Sequence, residues 1–370
     1  MDSKTAAAVL LCLSAVFFIG CIDGIAGGDA VDDAVDDGTP GEYEDWEPED
    51  PPEIEPNGSV YIADGGSLPE PKQPVEAHLV DVGQADFTLF DGPEANVVVD
   101  TADWQDENVV PYLREQGIEE VDLVVVTHPD ADHIGQLDEV MNEMDVEEVW
   151  MSGTPHTTRT YEEAVNAVVE SDAGYYEPRS GEDFAVGSMR IEALHPEEDG
   201  LTGDGQKDSV SVRLEYGETT FMMTGDAQKS AEREMVENAE ADEIELDSDV
   251  YQMGHHGSDT SSTRAFLEAV DPGVAVYSAG EENTFGHPND EVLERHAEMG
   301  TEVYGTDEHG TVVVEAKKDG NYTVETERDA PLVAPFVLPS VETVADTVSS
   351  ALGAGTHDTN TAGGVAPAAP

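Results

Sequence analysis

Two hydrophobic periods alternate along this chain from Val75 onward. Short, β-branched, apolar runs predict strands over 75–82, 85–91, 96–100, 122–127, 146–151, 187–194, 209–216, 219–224, 249–253, 273–279, 302–305, 310–316 and 321–327. Apolar positions spaced three and four apart predict helices over 106–116, 133–143, 161–170, 228–238, 262–270 and 290–299. Turn-forming stretches such as Glu215-Tyr216-Gly217-Glu218 separate paired strands. Hairpins early and late, with helices between them, predict a mixed sheet or two sheets, each covered by helices, in one domain over 73–330. No internal repeat is visible. Beyond Pro339 a stripe of Val341, Val344 and Val348 reads as a short helix. The tail 331–370 is of low complexity, and its Gly/Ala/Thr/Pro-rich end reads as disordered.

Charge changes the picture next. The 370 residues carry 83 Asp+Glu against 15 Lys+Arg, for a formal net charge of -68. Acidic residues run from Asp29 to Asp329, so this is no acidic tail on an ordinary domain. Such a surface repels itself in dilute buffer, and concentrated salt removes that cost by shrinking the Debye length to about 3 Å at 1 M. The composition is that of a halophilic protein. It excludes a basic nucleic-acid-binding face over much of the surface. Two cysteines exclude a disulfide scaffold and a cysteine-rich zinc ribbon.

The first residues read as a targeting segment. Lys4 precedes an apolar run, Ala6 to Ile19, too short for a membrane span of ~20 residues but suited to a signal-peptide core. Phe18-Ile19-Gly20-Cys21 resembles a lipobox, which makes 1–21 a cleaved leader and Cys21 a lipidated membrane anchor. Residues 22–72 then form an acidic tether; 29–56 hold thirteen acidic residues, several prolines and no Lys or Arg. The expected location is extracellular, on the cell membrane. No later run is long and apolar enough for a transmembrane channel.

Candidate chemistry concentrates at strand ends. Thr127-His128-Pro129-Asp130-Ala131-Asp132-His133 follows the apolar strand Leu123–Val126 and opens a helix. Imidazoles and carboxylates packed this closely suit Zn²⁺ or Mn²⁺, with His128 and Asp130 aimed at one ion and Asp132 and His133 at another. A polar helix start would account for one aspartate as a cap, but not for two histidines flanking two aspartates. Asp226 in Met223-Thr224-Gly225-Asp226 ends another strand and could bridge two ions or simply cap a helix. Gly254-His255-His256-Gly257 follows a third strand, offering one ligand and one substrate contact. His195 ends a fourth, where it reads either as a ligand or as a buried structural histidine. Phe285-Gly286-His287-Pro288 places His287 for proton donation or phosphate contact.

In this order the motifs resemble the metallo-β-lactamase superfamily, and within it the ComEC-type metallo-β-lactamase-like domain. The signature Asp81-Val82-Gly83-Gln84-Ala85-Asp86, the His128-x-Asp130-x-Asp132-His133 run, Asp226, Gly254–Ser258 and Phe285–Pro288 carry the resemblance over about 75–327. It implies an α+β fold, the αββα four-layer sandwich, with two divalent metal ions in a cleft at the sheet edges. It implies metal positions at His128, Asp130, Asp132, His133, His195, Asp226 and His255, and catalytic roles for Asp132, Asp226, His256 and His287. Asp81 is expected to brace the metal loop. Three positions depart from the family pattern: Asp130 replaces a histidine, Ala85 a glycine, and Asp208 stands where Asn is common. The harder oxygen ligand shifts the site toward Mn²⁺. The implied activity is phosphodiester hydrolysis, with DNA as the substrate. Hydrolysis of a lactam, thioester or other ester is the alternative on the same centre, and a non-catalytic surface-binding lipoprotein is the third reading.

Overall fold

The computed structural model describes residues 54, 56, 58–61 and 68–332, apart from 106, 199 and 282. The expected leader, most of the tether, the Val341–Val348 helix and nearly all of the tail lie outside the described residues.

Among the described residues, two sheets form the centre. The first has eight strands in the order β15-β14-β1-β2-β3-β4-β5-β6. These are β1 (Val75–Leu79), β2 (Thr88–Asp91), β3 (Asn96–Val99), β4 (Glu120–Val125), β5 (Asp145–Trp150), β6 (Gly174–Tyr176), β14 (Val312–Ala316) and β15 (Tyr322–Thr326). The second has seven, in the order β13-β12-β11-β10-β9-β8-β7. They are β7 (Asp183–Val186), β8 (Met189–His195), β9 (Ser211–Tyr216), β10 (Thr219–Met223), β11 (Val250–Gln252), β12 (Val274–Tyr277) and β13 (Glu302–Gly305).

Strand alternation decides which layer each side chain enters. Val97 and Val99 of β3, Leu123 and Val125 of β4, Phe221 and Met223 of β10, and Val274 and Val276 of β12 meet in one buried cluster between the sheets. The intervening Val98 and Val124 point the other way. They pack on α1 (Val109–Glu115), α3 (Leu137–Glu143) and α4 (Arg159–Glu170) through Leu113, Val140 and Val165. On the second sheet Met222, Ala275 and Tyr277 pack on α5 (Lys229–Glu240), α6 (Arg264–Val270) and α7 (Asp290–Met299) through Met235, Phe266 and Val292. Strands buried on both faces read as continuous apolar runs, as Val97–Val99 and Leu123–Val126 do. Three stacked cores make this the expected αββα four-layer sandwich.

The two sheets share a plan that the sequence does not display as a repeat. Each begins with an antiparallel meander and turns parallel at one strand, β3 in the first and β10 in the second. Helical crossovers then feed β4, β5 and β6, or β11, β12 and β13, in parallel. The carboxyl ends of parallel strands beside such a switch are where open α/β sheets bind ligands. Short α8 (Thr306–His309) leads back to β14, which pairs with β1 and returns the chain to the first sheet.

All thirteen expected strands overlap observed ones, and β6 and β7 are additional. The expected helix 133–143 is broken into α2 (Ala131–Ile134) and α3. Part of the expected tether joins the domain: Ser59 Oγ and Val60 N–H donate to the buried Glu148 carboxylate at 2.5 and 2.8 Å. Tyr61 donates its hydroxyl to Glu147 at 2.8 Å and to the Asp122 carbonyl at 3.0 Å.

Candidate metal centre

Strand ends deliver the site. Asp100 follows β3, the Thr127–His133 loop follows β4, Asp226 follows β10, His255 and His256 follow β11, and His195 ends β8. The two sheets touch here directly. Val210 N–H donates to the Thr127 carbonyl at 2.7 Å, and a Cβ on Gly225 would collide with the Thr127 side chain. Gly225 also has φ 50°, so glycine serves both the turn and the close approach. Backbone strain gathers at the same place. Asp100, His255 and His256 all adopt left-handed φ, at 61°, 52° and 52°, at a cost of about 1–2 kcal/mol for each non-glycine residue.

His128, His133, His255 and His256 share one arrangement: Nδ1 is held by the protein and Nε2 is presented to the cluster. His133 Nδ1 donates to Asp100 Oδ2 at 2.8 Å. Thr127 Oγ1 donates to the same carboxylate at 2.9 Å and so accepts from His128 Nδ1 at 3.1 Å. His256 Nδ1 donates to the Ser278 carbonyl at 3.1 Å, and His195 Nδ1 to the Ser209 carbonyl at 2.9 Å. His255 Nδ1 pairs with Thr260 Oγ1 at 2.7 Å. This is how proteins fix the tautomer and direction of metal-binding imidazoles.

The Nε2 atoms converge on carboxylates. His128 Nε2 is 3.3 Å from Asp130 Oδ2 and 3.8 Å from Asp226 Oδ2. His133 Nε2 is 3.3 Å from Asp226 Oδ1 and 3.8 Å from Asp132 Oδ2. His256 Nε2 lies 3.1 Å from Asp132 Oδ2, and His255 Nε2 lies 3.5 Å from Asp226 Oδ2. Donor atoms of His128, His133 and Asp226 lie within 4.8 Å of one another, as do those of Asp132, His133 and His256. Among the described residues, His128 Nε2, His133 Nε2 and Asp226 Oδ1 are buried without a hydrogen-bond partner. Buried polar atoms left unpaired and aimed together cost free energy that a cation would recover. The donor set, neutral imidazoles and carboxylates, fits Zn²⁺ or Mn²⁺.

Without a cation the cluster holds protons. Burial works against a charged His133, but Asp226, Asp100 and Asp132 raise its pKa well above the ordinary imidazole value. Burial likewise opposes protonation of His256, and Asp86, Asp226 and Asp132 overcome it. Burial would raise Asp132, yet His133 and His256 hold its carboxyl at about 2. Asp226 is driven well down by His255, His133, His256 and His128 against its burial.

The structure distributes the expected residues unevenly. His128, Asp130, Asp132, His133, Asp226, His255 and His256 form one chain of contacts. It is His256, not His255, that groups with Asp132 and His133. His195 presents Nε2 to Glu234 Oε2 on α5, at 3.7 Å. The His287 ring stands 5.4 Å from that of His255 and 6.5 Å from that of His256, centroid to centroid. Asp81 does not brace the metal loop. Its carboxylate is taken by Arg328 Nη2 at 2.9 Å and by the Gly83 N–H at 3.4 Å. Asp100 does the bracing, accepting also the Thr127 N–H at 2.7 Å, with Asp86 behind it at 3.5 Å from His256 Nδ1. The signal for Asp100 was present in the sequence: like Asp226, it is a carboxylate at the end of an apolar strand. Asp208 builds a loop, accepting from Thr154 Oγ1 at 2.7 Å, from Thr202 Oγ1 and N–H at 2.8 Å each, and from the Gly203 N–H at 2.8 Å. That loop carries Gln206, which donates to Asp130 Oδ2 at 3.2 Å and accepts from Gln228 Nε2 at 2.8 Å. Neither glutamine carries a motif that would have marked it.

Back-to-back sheets with a histidine–aspartate cluster at their joined strand ends define a metallo-hydrolase architecture. The chain belongs to the metallo-beta-lactamase superfamily, whose sequence profile matches residues 80–281. Within it the chain is similar to ComE operon protein 3 of Bacillus subtilis, at 25% identity over 64% of this chain and 32% of that protein. It is also similar to Competence protein ComA of Neisseria gonorrhoeae, at 30% identity over 55% of this chain and 26% of that protein. The chain thus spans about a third or less of these relatives' length. Among solved structures, the metallo-beta-lactamase fold protein YhfI from Bacillus subtilis is similar at 14% identity and a TM-score of 0.44, covering 66% of this chain and 100% of that one.

Proposed function

We propose that this protein is an extracellular, metal-dependent phosphodiesterase acting on DNA, anchored to the membrane through a lipidated Cys21. The observation that carries the metal reading is the common arrangement of four histidines, His128, His133, His255 and His256, each with Nδ1 held and Nε2 presented to the cluster. Two sites are inferred. His128, Asp130 and Asp226 would hold one divalent cation, and Asp132, His133 and His256 the other, with Asp226 reaching both. This assigns His256 rather than His255 as a ligand, because His256 shares Asp132 with His133. Zn²⁺ or Mn²⁺ bound there would supply Lewis-acid chemistry, making a water more acidic and neutralising charge on an attacked phosphoryl oxygen.

The chain's own residues do the rest. Asp100 and Thr127 fix the two imidazoles of the loop in one tautomer. Gln206 orients Asp130. His255 or His287, whose rings adjoin, would donate a proton to the leaving oxygen. Similarity to a protein named as a competence protein supports DNA over a lactam or thioester as the substrate. The test sets bis-p-nitrophenyl phosphate, single-stranded DNA and nitrocefin side by side in concentrated salt. Both phosphodiesters should be cleaved, and Asp130→Ala with Asp132→Ala should abolish cleavage. Hydrolysis of nitrocefin alone would overturn the reading.

A further inference from the structure

Phe285 is the one aromatic among the large hydrophobic side chains exposed in the described residues, with 54% of its surface open to solvent. It is not a stray. Its ring stacks on His287 at 6.2 Å and 27°, and His287 stacks on His256 at 6.5 Å and 20°. Three nearly parallel rings therefore step from solvent to the histidine–aspartate cluster. The turn that carries Phe285 is tied down by one side chain. Asn283 donates to the carbonyls of Gly280 at 3.0 Å and His287 at 2.8 Å, and its Oδ1 accepts the Gly286 N–H at 3.0 Å. An exposed phenyl ring on a pinned turn loses little conformational entropy when something stacks on it.

The charge of the molecule says what kind of contact is needed. With 83 acidic residues against 15 Lys+Arg, long-range attraction cannot draw a polyanion to this face, and concentrated salt would screen such attraction in any case. Stacking on an aromatic ring does not depend on ion pairing, and every base offers a π-face. We propose that Phe285 is a stacking platform for a nucleobase of a single strand whose phosphodiester lies at the His/Asp cluster. The base is that of a nucleotide one or two steps along from the cleaved bond, since two ring spacings separate Phe285 from His256. This rests on the phosphodiesterase reading but is read out by binding, without turnover.

The experiment measures, by fluorescence anisotropy in concentrated KCl with a chelator present, binding of the full chain to a labelled oligothymidylate and to an abasic strand of equal length. The wild type should favour the base-bearing strand. Phe285→Ala should weaken binding to that strand by about tenfold, the order expected for one stacked base. It should leave the abasic strand unaffected, and Phe285→Trp should restore the preference. Phe285 is exposed, so the alanine variant keeps the core intact. An unchanged ratio between the two strands in Phe285→Ala, or no binding of either strand by the wild type, would overturn the proposal. Failure of the phosphodiesterase reading shows separately, as intact phosphodiester substrates when metal is restored to the wild type.

Discussion

Single residues carry both the legible and the illegible parts of this site. His128, Asp130, Asp132 and His133 were readable because a loop of six residues brings its own ligands together, whatever the tertiary fold. Asp100 offered a signal in its place at the end of an apolar strand, but its role did not show, since that depends on β3 and β4 lying side by side, which places it 2.8 Å from a histidine 33 positions away. Asp81 was misread for the same reason: the motif fixed its identity, but Arg328, arriving from the end of the domain, takes its carboxylate. His296 is a further residue that no pattern marks. It is fully buried on α7, stacked on Tyr251 at 6.0 Å, with neither ring nitrogen hydrogen-bonded among the described residues. Burial, aided by the neighbouring Arg295 charge, pushes its pKa down to about 4. The unfolded chain takes up that proton near 6.5, so stability is complete above that pH and falls as the solution is acidified toward 4, by about 3 kcal/mol. Chemical unfolding at neutral and acid pH should show His296→Phe losing less stability than the wild type on acidification. Equal losses would contradict this assignment.

Elements were legible where period and length agreed. The central strands are apolar on both faces and were recognised as runs. β6 and β7 were missed because each is a short edge strand, three and four residues long, held by pairing rather than by its own pattern. The break between α2 and α3 has a different cause. The period of 133–143 is helical throughout, but the segment 101–104 crosses at Gly135. A Cβ there would strike the Ala102 carbonyl and the Trp104 N–H, and Gly135 N–H donates to Ala102 O at 2.8 Å. The same crossing carries the Thr101 N–H to the His133 carbonyl at 2.6 Å, which seats His133. Gly135→Ala should therefore cost about 2 kcal/mol of unfolding free energy, as overpacking does. It should also weaken metal binding, seen by titration calorimetry. A variant with wild-type stability and affinity would show that the crossing has no such role.

At the scale of the whole molecule, charge and fold pull in opposite directions. Three stacked cores supply the burial, while a formal charge of -68 repels across the surface. Circular dichroism and scattering should show full compaction only in concentrated salt, with midpoints rising steeply with ionic strength. Full folding in dilute buffer would remove the halophilic reading. The two-sheet plan itself was legible as hairpins flanking helices, but the duplication of an antiparallel meander followed by parallel crossovers was not. It resides in strand order, and side-chain identity does not repeat with it.

Metal content tests the centre most directly. Elemental analysis of the full chain, purified folded in concentrated salt, should find two equivalents of zinc or manganese per chain. Asp132→Ala with Asp226→Ala should lose them while keeping the fold. Folded wild-type protein free of bound metal after exposure to either cation, or a double variant that retains both equivalents, would contradict the assignment of this cluster.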